Sequence, residues 1–141
     1  MNTSILVVED NPDNLKLLAW ALQDAGYEFA AVDSAEKALA LLEEEVFDLV
    51  LMDILLPGMN GKEAARRLRR DPRFASLPII AVTAHATKEE EQRIRDCGFT
   101  AIRTKPIDEA DLLQTIQAIL RPAPEHDWIA SSPEDKPWPR S

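Results

Sequence analysis

Along this chain, short runs of consecutive apolar residues alternate with stretches in which apolar residues recur every three or four positions. Residues 5–8 (ILVV), 47–52 (FDLVLM) and 77–83 (LPIIAVT) read as strands, 28–32 as a weaker strand and 100–104 as a short fifth one. Helical spacing fills the intervals. Residues 12–25 place Leu15, Leu18 and Leu22 on one side, with Pro12 suited to a first turn and Gly26 to a stop. Ser34 caps a helix carrying Ala38, Leu41 and Leu42, and residues 61–70 form an amphipathic helix after a turn at Pro57-Gly58. Thr87 and Glu90 have capping-box spacing. Asp108 caps a last helix with Leu112, Ile116 and Leu120 facing inward.

Five strand-then-helix units in succession predict an α/β fold: a doubly wound, five-stranded parallel sheet with helices on both faces and right-handed crossovers. ILVV, LVLM and PIIAV are apolar at every position, as strands buried on two faces should be. No internal repeat at a fixed solenoid period is visible. The pattern ends near Leu120, so residues 1–121 are expected to form one domain. Residues 122–141 hold five of the 10 prolines and two of the three tryptophans, Trp128 and Trp138. Prolines at that density forbid a regular helix, and a flexible tail is expected. The tryptophans leave open a docking segment for a partner or for the domain's own surface.

Composition narrows the function. The 141 residues are 45% hydrophobic and 29% charged, with a formal net charge of −9. That charge argues against nucleic-acid binding, which relies on Lys and Arg to displace counterions. It suits a carboxylate-rich site that awaits a cation. No apolar run approaches the ~20 residues of a membrane-spanning helix, and the first residues do not read as a secretory signal. The lone Cys97 excludes an internal disulfide, fits a reducing cytoplasm, and is expected to be a buried structural thiol.

In open parallel sheets, ligands bind beyond the carboxyl ends of the strands. Those ends carry Glu9-Asp10, Asp53, Thr83 and Lys105-Pro106. Three carboxylates brought together raise one another's pKa unless a cation joins them. Mg²⁺, a hard ion with oxygen ligands and an affinity for phosphate, is the natural choice. One carboxylate then remains to attack phosphorus, Lys105 neutralises charge on the transferring group, and the Thr83 hydroxyl donates to a phosphoryl oxygen. Each residue also has a plainer role. Asp10 could only cap the following helix, Asp53 could be a solvated loop residue, Thr83 a strand-end or cap residue, and Lys105 a solvent-facing cation. All four positions holding the required chemistry together favours the site.

The segments ILVVEDN, LVLMDILLPGMNG, PIIAVTAHA and TKPI, in this order and spacing, make residues from about Ser4 to Leu120 resemble a two-component response-regulator receiver domain. The resemblance implies a flavodoxin-like (βα)5 fold of the kind seen in bacterial chemotaxis receivers. It implies that Asp53 is the phosphoacceptor, with Thr83 and Lys105 as switch hydroxyl and phosphate-binding lysine. It further implies that Asp10 binds Mg²⁺ directly, that Glu9 acts through water, and that Leu55 contributes its backbone carbonyl. Pro106 matches a proline usually preceded by a cis bond. Ile102 departs from the family, which commonly carries Tyr or Phe there, so the usual aromatic–hydroxyl coupling is in question. Leu55 and His85 match the positions that face the incoming water. An apolar Leu55 predicts slow loss of phosphate, which His85 could offset by orienting water.

The implied protein is a phosphorelay switch, not an enzyme beyond promoting its own phosphorylation and dephosphorylation. Its expected partners are a sensor histidine kinase or histidine phosphotransferase and a downstream protein target, with no membrane insertion, as a monomer or weak dimer. The family's contact surface corresponds to residues 87–95, 100–104 and the last helix, although the mixed charges of residues 88–95 suit a plain solvated face equally well. The VTAHA segment also resembles receivers of hybrid kinases, so the chain could be a fragment of one; Met1 and the proline-rich end favour a stand-alone regulator, with no second folded domain expected after Leu120. An aspartate-nucleophile hydrolase is disfavoured because Leu55 stands where a second acid is needed. A flavin domain is disfavoured by acidic residues where a phosphate would bind. A pseudo-receiver that only binds partners is disfavoured by the complete acid, threonine and lysine set.

Overall fold

The computed structural model describes residues 3–84 and 86–120. His85 and the segment 122–141, with Trp128 and Trp138, lie outside the described residues. Strands β1 (Ser4–Val8), β2 (Glu28–Val32), β3 (Leu49–Asp53), β4 (Ile79–Thr83) and β5 (Ala101–Thr104) alternate with helices α1 (Pro12–Asp24), α2 (Ala35–Glu44), α3 (Gly61–Arg70), α4 (Lys88–Asp96) and α5 (Glu109–Leu120). They form one sheet in the order β2-β1-β3-β4-β5, parallel throughout.

The period-two geometry of the strands divides the core. Leu6, Val8, Val50, Met52, Ile79 and Ala81 meet α2, α3 and α4 through Ala35, Ala38, Leu42, Ala64, Ala65, Leu68 and Ile94. Ile5, Val7, Leu49, Leu51 and Ile80 meet α1 and α5 through Leu18, Leu22, Leu112 and Ile116. All five residues of β3 and of β4 are buried, which is why these strands lack polar alternation. Each fully buried Leu or Ile contributes roughly 1.5–3 kcal/mol of transfer free energy. Cys97 is buried, and its thiol donates to the Arg93 carbonyl at 3.1 Å, the structural role expected of it.

Several boundaries differ from the sequence reading. Phe47 is buried but precedes β3; the chain is tied there by Asp48, whose N–H donates to the Ser4 carbonyl (2.8 Å) and whose carboxylate accepts from the Ser4 N–H (2.8 Å). Asp53 is the last residue of β3 rather than the first beyond it. Thr100 lies outside β5 because its hydroxyl takes the place of a backbone acceptor, receiving the Ile79 N–H at 3.1 Å. A short 3-10 helix, Pro72–Phe74, follows α3 and is capped by the Asp71 carboxylate. Only half of the predicted capping box forms. Thr87 accepts from the Glu90 N–H (3.1 Å), while the Glu90 carboxylate is drawn to Lys62 (3.0 Å) and Arg93 (3.1 Å). No described helix is long and apolar enough to cross a membrane.

Gly61 sets how closely α3 approaches the end of β3. Its N–H donates to the Ile54 carbonyl at 2.9 Å, and a Cβ built there would lie 2.6 Å from the Asp53 carbonyl oxygen. That atom is backbone and cannot swing aside. Gly61→Ala is therefore expected to destabilise the fold by roughly 1–3 kcal/mol, an overpacking cost, measured by urea denaturation; unchanged stability would mean that the loop yields freely.

Candidate functional site

The strand order reverses between β1 and β3, since β1 leads outward to β2 and β3 leads outward to β4 and β5. The crevice at this switch point is where open parallel sheets bind ligands. Here it is a cleft of about 310 Å³ lined by residues that include Glu9, Asp10, Asp53, Leu55 and Lys105. A larger cleft of about 510 Å³, lined by residues such as Phe47, Arg73 and Leu77, touches none of these groups. Size does not identify the site; convergent chemistry does.

Glu9 and Asp10 follow the end of β1 and differ in burial. Glu9 is buried, accepts the Asn11 N–H at 3.1 Å, and has its backbone N–H bound to the Val32 carbonyl (3.0 Å). Asp10 is exposed. The plainer reading of Asp10 as a helix cap does not hold. Asn11 caps α1, its side-chain oxygen accepting from the Asp13 and Asn14 N–H groups at 2.9 and 3.1 Å. Among the described residues Asp10 makes no hydrogen bond or ion pair, which leaves its carboxylate free to face the cleft's contents.

Asp53 is not a solvated loop residue either. It is 4% exposed, and each carboxylate oxygen has a partner: Oδ1 accepts the Leu55 N–H at 3.1 Å, and Oδ2 accepts from Lys105 Nζ at 3.0 Å. Lys105 Nζ also lies 3.6 Å from Glu9 Oε1, so this lysine points inward across the sheet rather than to solvent. Its own N–H is fixed by the Thr83 carbonyl at 2.8 Å, and the Lys105–Pro106 peptide is cis. Thr83 is buried at the end of β4 beside this bond. One ligand oxygen from each of Glu9, Asp10 and Asp53 falls within 4.8 Å of the others.

Burial is the main cause that pushes the Glu9 carboxyl above its usual range; the Asn11 N–H opposes this, and the charge of Asp53 adds to it. Burial works against the Lys105 ammonium, but the hydrogen bond to Asp53 and the charges of Asp53 and Glu9 outweigh it and hold Lys105 above its ordinary value. One ammonium thus faces three carboxylates. The donors are all oxygens, one of them is unpaired, and the charge is under-compensated. This set fits a hard divalent cation such as Mg²⁺ and would not suit a soft, thiolate-seeking metal.

The remaining sequence candidates sit nearby in different ways. Leu55 turns its side chain outward, 69% exposed, while its backbone lies against Asp53. Ile102 is partly buried against the α2–α4 side of the core, paired with Ala81 across β4 and β5. Sequence reasoning overlooked Asn11, which caps α1 in place of Asp10, and Gly61, whose missing side chain leaves room for the Asp53 backbone. Both were visible as signals: Asn before Pro at a helix start, and an Asn-Gly pair where a helix begins beside a strand end.

Known proteins share the sequence pattern and the fold of this chain. The response regulator receiver domain model matches residues 5–117. The chain is 41% identical over 120 residues to the polar-differentiation response regulator DivK of Brucella ovis, covering 85% of this chain and 98% of that protein. It is 40% identical over 129 residues to the sensor protein GacS of Pseudomonas syringae pv. syringae, a match that covers 86% of this chain but 14% of that longer protein. Among solved structures, the receiver domain of the sensor histidine kinase PA1611 from Pseudomonas aeruginosa PAO1, which has a magnesium ion coordinated in its active-site cleft, aligns with a TM-score of 0.79 at 31% identity over 85% of this chain and 98% of that one. The chain belongs to the response regulator receiver domain family, the phosphorelay switches of two-component signalling.

Proposed function

We propose that this receiver accepts a phosphoryl group on Asp53, in the cytoplasm, from a phosphohistidine on a sensor histidine kinase or histidine phosphotransferase, and that the modified rim then changes its affinity for a downstream protein. The observation that carries this reading is Asp53 itself: a buried carboxylate with an ammonium at 3.0 Å, on an edge it shares with two further carboxylates.

Glu9, Asp10, Asp53 and the backbone carbonyl of Leu55 would hold Mg²⁺. When bound, the ion supplies positive charge to the phosphoryl oxygens and relieves the repulsion among the carboxylates. An Asp53 carboxylate oxygen forms the new bond to phosphorus as the bond to the donor imidazole nitrogen breaks. Lys105, already aimed at Asp53, donates to the incoming phosphoryl oxygens, and the Thr83 hydroxyl serves a further oxygen. The Leu55 N–H keeps Asp53 oriented during attack. The chain promotes only its own phosphorylation and dephosphorylation. Ile102 lacks the ring that receivers commonly carry there, so this switch works without an aromatic side chain at that position.

The direct test is intact mass after incubation with Mg²⁺ and a small phosphodonor. Wild type is expected to gain one phosphoryl group, Asp53→Asn and EDTA-treated protein none, and Lys105→Ala to react about a hundredfold more slowly, the typical loss of one preorganised charge donor. Wild type that gains no mass from small donors or from a histidine kinase would instead indicate a partner-binding pseudo-receiver. A separate expectation concerns phosphoryl lifetime. The exposed Leu55 side chain gives the hydrolytic water no hydrogen-bond partner, so Leu55→Asn should shorten the phosphoryl half-life by about fivefold, the worth of one hydrogen bond; an unchanged half-life would mean that the Leu55 side chain does not set phosphoryl lifetime.

A further inference from the structure

Asp53 and Gly61 are joined by a loop of residues 54–60 that carries Leu55. At its base, the Gly61 N–H donates to the Ile54 carbonyl (2.9 Å). Ile54 and Leu56 are buried on either side of Leu55. Between these anchors the Leu55 N–H donates to Asp53 Oδ1 at 3.1 Å, and the Leu55 carbonyl belongs to the same short loop. The turn that follows leads this loop into α3. Gly58, in the turn, has a φ of +75°, a left-handed conformation open to glycine.

One side chain from another unit of the fold grips this turn. Glu36, in the first turn of α2, accepts the Met59 N–H on Oε2 at 3.1 Å, 23 residues away in sequence. The contact is close: a Cβ placed on Gly58 would lie 2.9 Å from the same carboxylate oxygen. The Met59 hydrogen bond is also the leading cause that holds the Glu36 carboxyl below its usual range, so the acceptor is ionised at neutral pH. Neighbouring Lys37 faces elsewhere and pairs with Asp33 at 3.0 Å.

We propose that Glu36 is a positioning residue for the metal-binding edge: its carboxylate pins the Gly58–Met59 turn and thereby aims the Leu55 backbone carbonyl at the cation held by Glu9, Asp10 and Asp53. This rests on the reading of that edge as the Mg²⁺ site. It makes α2, which contributes no ligand, part of what sets Mg²⁺ affinity.

Calorimetric titration of the full, unphosphorylated chain with Mg²⁺ tests it, using wild type, Glu36→Ala, Glu36→Gln and, as a neighbouring control, Lys37→Ala. Glu36→Ala is expected to weaken Mg²⁺ binding about fivefold, the worth of one hydrogen bond. Glu36→Gln keeps an acceptor oxygen and is expected to restore wild-type affinity, as is Lys37→Ala. Amide exchange at Met59 without Mg²⁺ should quicken only in Glu36→Ala. Wild-type affinity in Glu36→Ala would overturn the inference while leaving the Mg²⁺ site intact. Binding as weak in Glu36→Gln as in Glu36→Ala would also overturn it, since charge rather than the hydrogen bond would then be responsible. Absence of Mg²⁺ binding by wild type would overturn both this inference and the reading beneath it.

Discussion

The ion pair between Lys105 and Asp53 spans the sheet from the end of β5 to the end of β3, passing over β4. It forms only if three strands end in register and the lysine turns inward. Val82 is paired with Asp53 on one side and Arg103 on the other, and the Thr83 carbonyl holds the Lys105 N–H. The pair leaves charge uncompensated, because Glu9 and Asp10 crowd the same edge. A site built from like charges is costly to the fold. Continuous apolar strands and two closely packed helical layers are what hold it together, and a cation together with a phosphoryl group is what would satisfy it.

Much of this architecture can be read from the chain because its strongest signals are physical and local. A fully apolar strand such as PIIAV has few alternatives, and Ser34, Thr87 and Asp108 cap helices by hydrogen bonds within their own segments. The rim residues were legible because strand ends in a parallel sheet converge by topology. What sequence misplaced depends on partners distant in the chain. Phe47 looks like part of a strand but serves the core beside it. Thr100 substitutes its hydroxyl for a backbone acceptor on Ile79. Glu90 abandons its capping role for Lys62, 28 residues away.

The division of labour at Glu9, Asp10 and Asn11 shows how local chemistry releases functional chemistry. Asn11 accepts from the Asp13 and Asn14 N–H groups of α1 and Glu9 takes the Asn11 N–H, so among the described residues Asp10 has no capping bond to make. Its carboxylate stands beside the buried carboxylates of Glu9 and Asp53. On the other side of Asp53, Gly61 lies close against the Asp53 carbonyl and Glu36 accepts the Met59 N–H, so both contact the loop that carries Leu55.

The central claim is that this acidic edge holds a divalent cation, and Asp10→Asn tests it most directly because, among the described residues, that side chain has no hydrogen-bond or ion-pair partner. Mg²⁺ binding and thermal unfolding would be measured together on wild type and the variant. The account predicts one Mg²⁺ site in wild type, at least about tenfold weaker binding in Asp10→Asn, and a cation-free melting temperature no lower than that of wild type. Equal Mg²⁺ affinity in the two proteins, or a variant that loses stability without Mg²⁺, would contradict it.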